Sequence, residues 1–261
     1  MKKSTFPIMI ISALLIFMSI GVAAQTNVRV PILLYHNLVS NAHNENPMLS
    51  ITANNFRSHI MALKNAGYES ISLEQFYDFA NNGKPLPEKP IIITFDDGYS
   101  SNYDYAFPIL QEFATKATIF VVTSTVGATN TVNFPHFTWE QAKQMQQSGL
   151  IEIQSHSHSH KELALFDIAE IIREIRLSKY LIETNLNKEC NFFAYPYGSI
   201  SESAIQAVWA AGYKVQCQVG DYGYNTVETL SQPLLRITVN GNLSAEELLD
   251  MIEQNVQTDL Y

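Results

Sequence analysis

Short apolar runs and longer stripes of helical period alternate along this chain. Residues 30–35, 90–93, 117–122, 192–194 and 214–219 are apolar or β-branched stretches closed by polar or Gly/Pro positions, the pattern of buried strands. Leu150-Ile151-Glu152-Ile153 is a further strand-like stretch, and 235–239 reads as the last strand. Between them the apolar period lengthens. The spacing predicts helices over 56–66 with Asn54 or Asn55 as cap and Gly67 as stop, over 73–81, and over 103–114 with a kink at Pro108. Further helices are predicted over 138–147, 166–185, 201–211 before Gly212, and 244–254, while 82–87 reads as a loop. Strand-like and helix-like segments in alternation favour βα units over an all-β sandwich. The chain shows no internal repeat, no low-complexity tract and no linker long enough to separate one domain from another.

Two carboxylates stand at the end of one of these strands, in Thr94-Phe95-Asp96-Asp97-Gly98. Parallel α/β folds keep their chemistry at the carboxyl ends of strands. Neighbouring strand residues point to opposite faces, so two acids converge only where the strand gives way to a turn, which Gly98 permits. An exposed Asp-Asp-Gly turn is the bland alternative. Three of the seven histidines fall in Ser155-His156-Ser157-His158-Ser159-His160, directly after a strand-like stretch. If the chain turns helical there, His156 and His160 share a face as two ligands of one metal must, and His158 points away. A solvated polar loop, or a tract that binds metal loosely, is the competing reading. Phe192-Phe193-Ala194-Tyr195-Pro196-Tyr197-Gly198 is a third strand-then-turn, whose backbone N–H groups could meet an oxyanion and whose aromatics could stack on a sugar.

Taken in order, Thr-Phe-Asp-Asp-Gly, Ser-His-Ser-x-x-His and Phe-x-Tyr-Pro-Tyr-Gly resemble the polysaccharide deacetylases, the NodB-homology or carbohydrate esterase 4 family. The resemblance spans about Val30 to about Ile252. It implies an α/β fold, a single distorted (β/α) barrel of seven strands. It also implies Asp96 as general base, Asp97, His156 and His160 as ligands of a divalent metal, and removal of acetyl groups from a glycan. Zn²⁺ suits two imidazoles and a carboxylate, with Ni, Co or Fe as alternatives. Most of the family has Arg where this chain has Ala194, and a late Leu-x-His that is absent here, since no His follows His160. The early run ending in His36 instead resembles the biofilm poly-N-acetylglucosamine deacetylases, whose motif order is permuted. That resemblance makes His36 the general acid and Arg236 the cation that orients Asp96. It also makes Tyr197, Tyr195 and Trp139 substrate or oxyanion contacts. Of His36, His43, His136 and His158, only His36 ends a clear apolar strand.

Composition narrows the picture little further. The chain has 261 residues, 46% of them hydrophobic, which suits one barrel and its core. Net charge is −9, which argues against nucleic acid or an anionic membrane surface as partner. Lys2 and Lys3, the apolar stretch 8–20 and the small residues Val22-Ala23-Ala24 read as a signal peptide over 1–24. The remaining 25–261 form the deacetylase domain of a monomer that is secreted, periplasmic or at the cell surface, with no stable membrane span after cleavage. Export makes a Cys190–Cys217 bridge chemically permissible, and two buried thiols equally so. Two rival functions remain: an O-acetyl esterase on xylan or a related glycan, and a non-catalytic glycan-binding barrel.

Overall fold

Seven parallel strands carry the architecture, and their register explains where the charged residues end up. In the computed structural model, which describes residues 28–41, 46–129, 134–220 and 223–257, the strands are β1 (Ile32–Tyr35), β5 (Pro90–Phe95), β6 (Ala117–Val121), β7 (Ile151–Ser155), β8 (Phe192–Ala194), β9 (Val215–Cys217) and β10 (Ile237–Thr238). They run β10-β1-β5-β6-β7-β8-β9, every pairing parallel. A short strand β4 (Glu69–Ser70) joins β5 off that path. The bridges Cys217↔Leu234 and Gly220↔Ile237 tie the exit of β9 to the segment leading into β10 and to β10 itself, so the sheet curls round on itself. This is the distorted seven-stranded barrel that the resemblance implied. The expected signal segment and His43 lie outside the described residues. Among the described residues no helix is long and apolar enough to cross a membrane.

Strand alternation sorts the core into two sets. Leu33, Tyr35, Ile91, Ile93, Phe95, Ile153 and Phe193 face outward into one cluster with the helices. Ile32, Ile92, Phe120, Phe192, Val215 and Cys217 belong to a second cluster. The second includes Leu73, Phe76 and Phe79 of α2 (Leu73–Asn82), a helix held by a Ser72–Gln75 capping box. The other helices are α1 (Ala53–Asn65), α3 (Phe107–Glu112), α4 (Trp139–Gln147), α5 (Ile168–Leu186), α6 (Glu202–Ala210) and α7 (Ala245–Gln257). Cys190 and Cys217 are free, and burial pushes their thiols up to about 11 and about 12.

Several boundaries differ from the pattern-based expectation, each for a local reason. α1 starts earlier because Thr52, not an Asn, accepts the capping bond from the Asn55 N–H. The single helix expected over 103–114 opens with a wide π-turn at Asn102–Ala106 before α3. Pro108 has no N–H to give Asp104, and the Phe107 N–H reaches back to Asn102 instead. Two short strands, β2 (Asn37–Val39) and β3 (Ser50–Thr52), were too brief to show a period.

The β2–β3 pair forms a strap beside β1, and polar contacts lock it. Ser101 Oγ donates to Asn37 Oδ1 at 2.7 Å and accepts from the Leu38 N–H at 3.0 Å. From α1, Asn55 donates to the Gly241 and Leu243 carbonyls at 3.0 and 2.8 Å. His59, absent from the sequence-based reading, lies wholly buried beside them. Burial lowers its pKa, and as a neutral ring it donates from Nε2 to the Leu243 carbonyl at 2.8 Å while Nδ1 accepts from the Tyr35 hydroxyl at 3.2 Å. Gly241 makes this closeness possible, because a Cβ there would collide with the Ser50 carbonyl oxygen and sit 2.9 Å from Ile51 Cα. Gly241→Ala is expected to cost about 1–3 kcal/mol, the usual scale of overpacking. Denaturant midpoints of wild type and variant measure it, and an unchanged midpoint would show that the strap yields freely.

Candidate active site

The site grows from the ends of β1, β5, β7 and β8. Along β5 the inward period Ile92, Thr94 continues into Asp96, which leaves the carboxylate inside the barrel mouth and only 1% exposed. Asp97 then turns back at φ 72° and Gly98 at φ 78°, so both acids point to one place. A side chain on Gly98 would press on Val121 Cγ1 at 3.0 Å, which adds a packing reason to the conformational one.

A buried charge of this kind needs a partner. Arg236, fully buried just before β10, donates from Nη1 to Asp96 Oδ1 and from Nη2 to Asp96 Oδ2, each at 2.7 Å. Its Nε donates to the Gln218 carbonyl at 3.1 Å, and the guanidinium lies 5.3 Å from the Phe120 ring centre. Burial acts to raise the Asp96 pKa, but the Arg236 charge, followed by His156, the Arg236 hydrogen bonds and His36, outweighs it and holds the carboxyl well below the usual range. His36 and Asp96 leave neighbouring strands side by side, since Asp96 N–H donates to the Tyr35 carbonyl at 3.1 Å. Asn102 Nδ2 fixes the His36 carbonyl at 2.8 Å.

Asp97, His156 and His160 form the second half of the site. Each offers one ligand atom, all within 4.8 Å of one another. The Nε2 atoms of His160 and His156 lie 3.2 and 3.7 Å from Asp97 Oδ1. Donors about 2.0–2.1 Å from a tetrahedral cation stand roughly 3.3 Å apart, so the set fits a divalent metal. His156 donates from Nδ1 to the Ala194 carbonyl at 2.8 Å, which leaves Nε2 free as a ligand. Burial, opposed in part by Asp96, pushes His156 down to about 4, so the ring is neutral as a ligand must be. His160 Nδ1 meets the Tyr197 hydroxyl at 3.1 Å, and the rings stand 4.4 Å apart. Both imidazoles reach the cluster from a loop rather than from the helix the spacing suggested, because sheet-like bonding outlasts β7. His156 N–H donates to the Val121 carbonyl at 2.9 Å, and Ser157 and His160 then adopt φ of 65° and 57°. His158 is held apart, with Nδ1 2.9 Å from Thr123 Oγ1.

The aromatics divide. Tyr197 is 66% exposed at the cluster's edge, with φ 57°. Tyr195 is completely buried with its hydroxyl donating to Gln216, so it packs the barrel wall and does not face a ligand. Trp139 is half-buried against the outer core at the first turn of α4 and makes none of the cluster's contacts among the described residues. The sequence-based reading missed Tyr99 and set His136 aside. Tyr99 hydrogen-bonds Asp97, and burial, then the Asp97 charge, pushes its phenol up, so it stays an O–H donor. His136, paired to Tyr99 in an antiparallel bridge, stacks its ring 5.1 Å from that of Tyr99, and its Nδ1 is buried without a partner. Tyr99 adjoins the Asp-Asp-Gly turn and could have been found there; nothing around His136 in sequence marks it.

At its strand ends the parallel barrel gathers a buried carboxylate and a three-donor cluster fit for a cation. The comparisons then give the family. Residues 83–216 match the family model described as polysaccharide deacetylase, and the chain belongs to that family. The YxkH protein of Bacillus subtilis is 30% identical over 197 residues, covering 76% of this chain and 67% of that one. The poly-beta-1,6-N-acetyl-D-glucosamine N-deacetylase of Staphylococcus epidermidis is 29% identical over 192 residues, 70% of this chain and 64% of that protein. This chain therefore spans under two thirds of the staphylococcal relative. The structure of the Streptococcus pyogenes deacetylase PplD in complex with acetate superposes with a TM-score of 0.77 at 28% identity, over 88% of this chain and 99% of that one.

Two outcomes follow. Asp97→Ala or His156→Ala should empty the cation site and abolish turnover, whereas His158→Ala should keep both; metal content by elemental analysis beside rate decides, and an empty site in His158→Ala would overturn the ligand assignment. Arg236→Met should destabilise the fold by about 3–5 kcal/mol by stranding a buried carboxylate. Adding Asp96→Asn should restore much of that loss, and a strictly additive double variant would show that the two groups are not coupled.

Proposed function

We propose that this chain hydrolyses N-acetyl groups of an N-acetylglucosamine-containing polysaccharide, releasing acetate and a free amine on the sugar. The observation that carries this reading is the placement of Asp96. Arg236 grips both of its oxygens, Asp96 Oδ2 lies 3.6 Å from His156 Nε2 beside the Asp97–His156–His160 cluster, and His36 stands on the adjoining strand end. The names of the staphylococcal relatives support N-acetylglucosamine as the acetylated unit. The expected leader over 1–24 supports action outside the cytoplasm.

Asp97, His156 and His160 would hold the divalent metal, for which their two nitrogens and one oxygen suit Zn²⁺. When bound, such a metal polarises an acyl carbonyl and acidifies neighbouring water, so that a weak base suffices. Asp96 is that base: held ionised by Arg236, it takes one proton from the attacking water as the water oxygen bonds to the acyl carbon. The Tyr197 backbone N–H meets the charge that gathers on the acyl oxygen. His36 delivers a proton to the nitrogen as the C–N bond breaks, because an amine anion is too poor a leaving group to depart unprotonated. The amine leaves, acetic acid gives up the second water proton and departs as acetate, and the resting state returns as Asp96 loses its proton and His36 takes one from solvent.

Acetate release from N-acetylglucosamine oligomers, measured against acetylated xylan, tests the reading. Faster release from xylan would make the chain an O-acetyl esterase, and no release from either would leave a glycan-binding barrel. His36→Ala should retain metal and lose about 10²–10⁴ in turnover on the amide. It should lose far less on an acetyl ester with a good leaving group, whose departure needs no proton. Equal losses on both substrates would remove His36 as the acid.

A further inference from the structure

Glu174 breaks the pattern of its own helix. On α5 the residues Ile171, Ile175, Ser178 and Ile182 form the buried stripe, and Glu174 sits among them with 1% exposure. A carboxylate on an apolar stripe is costly unless donors surround it. Here the donors come from one place, the loop that carries the histidines. Glu174 Oε2 accepts the His158 N–H at 3.1 Å and the Ser159 N–H at 2.7 Å, and Oε1 accepts the Ser159 hydroxyl at 2.7 Å. Lys161 Nζ, hydrogen-bonded to Glu170, stands 4.0 Å from Oε1 and adds positive charge nearby.

The loop needs such an anchor. Ser157 and His160 both hold left-handed φ values, conformations that persist in non-glycine residues only where the surroundings over-determine them. On one side the loop hangs from the end of β6, through the Thr123 N–H to the Ser157 carbonyl at 3.3 Å and the Ser124 N–H to the His158 carbonyl at 2.9 Å. Internally, His160 N–H donates to Ser157 Oγ at 3.0 Å. Glu174 grips the opposite side. With both sides held, His160 can bring Nε2 to within 3.2 Å of Asp97 Oδ1.

We propose that Glu174 is a positioning residue of the cation site, fixing the 157–161 loop so that His160 faces Asp97 without itself touching metal or substrate. This rests on reading Asp97, His156 and His160 as metal ligands. Outer groups that orient ligands typically contribute 10–100-fold to metal affinity. Glu174→Gln keeps the size but sets an NH₂ group against loop donors, so Co²⁺ binding to chelator-stripped protein should weaken by about 10–100-fold, with an altered visible spectrum. Ser159→Ala, which removes one donor and leaves the carboxylate in place, should weaken it by a smaller factor. Amide exchange at His158 and Ser159 in the metal-free protein should speed up by roughly tenfold or more in Glu174→Gln. A lowered denaturation midpoint with Co²⁺ affinity and loop exchange unchanged would reduce Glu174 to a packing residue and overturn the proposal. Should Glu174→Gln not fold, Ser159→Ala decides on the same two readouts. Wild type that takes up no Co²⁺ would sink the metal reading alone, since the exchange comparison judges the anchor without metal.

Discussion

A carboxylate inside a barrel mouth has two ways to exist: it takes up a proton, or it faces a fixed cation. Asp96 faces Arg236, and nearly everything else at the site is arranged round that choice. The guanidinium spends its donors on Asp96, on the Gln218 carbonyl and, more weakly, on Thr94 Oγ1 at 3.4 Å. Both partners are therefore satisfied in an apolar setting, where removing either strands the other. A doubly held carboxylate also has little rotational freedom. Its direction toward the cation cluster is thus set by the barrel wall, not by the glycan.

Strain is collected at the same end of the barrel. Among the described residues, Asp97, Ser157, His160 and Tyr197 are four of the six non-glycine residues with positive φ. Each begins or ends a turn that bends a strand's exit back over the barrel mouth. Left-handed backbone lets two neighbouring residues of one strand, or two histidines four apart in a loop, aim at a common point. The scaffold supports this with ladders that outlast the strands, as where His156 still pairs with Val121.

Much of this was legible beforehand, and the failures have physical causes. Asp96 and Asp97 could be placed because a continuous apolar strand and a following Gly constrain what comes next. The histidines were found by spacing, yet the helix invoked for them was absent: a loop with two left-handed residues can also converge side chains four apart, and no periodicity reports it. Arg236 came only from resemblance, since pairing across 140 residues leaves no local trace. Tyr195 failed as a ligand contact because strand alternation turns it into the wall, away from the mouth, while Tyr197 two residues on escapes that alternation through its own turn. Ala194, noted for lacking an arginine, contributes through its carbonyl, which holds His156; backbone roles of this kind are invisible in side-chain identity. Thr52 was hidden behind two asparagines that looked like better caps.

The seam between β10 and β1 joins late chain to early chain, and this gives the molecule an order in time. A ribosome makes Asp96 and the strand that carries it well before Arg236. Until that arginine arrives, the growing sheet has a hydrated acid at its centre and an open edge along β1. Burying Asp96 without Arg236 would leave its charge unpartnered, a costly state. One late segment carries both the counter-charge and the closing strand, so closing the seam and desolvating Asp96 are coupled.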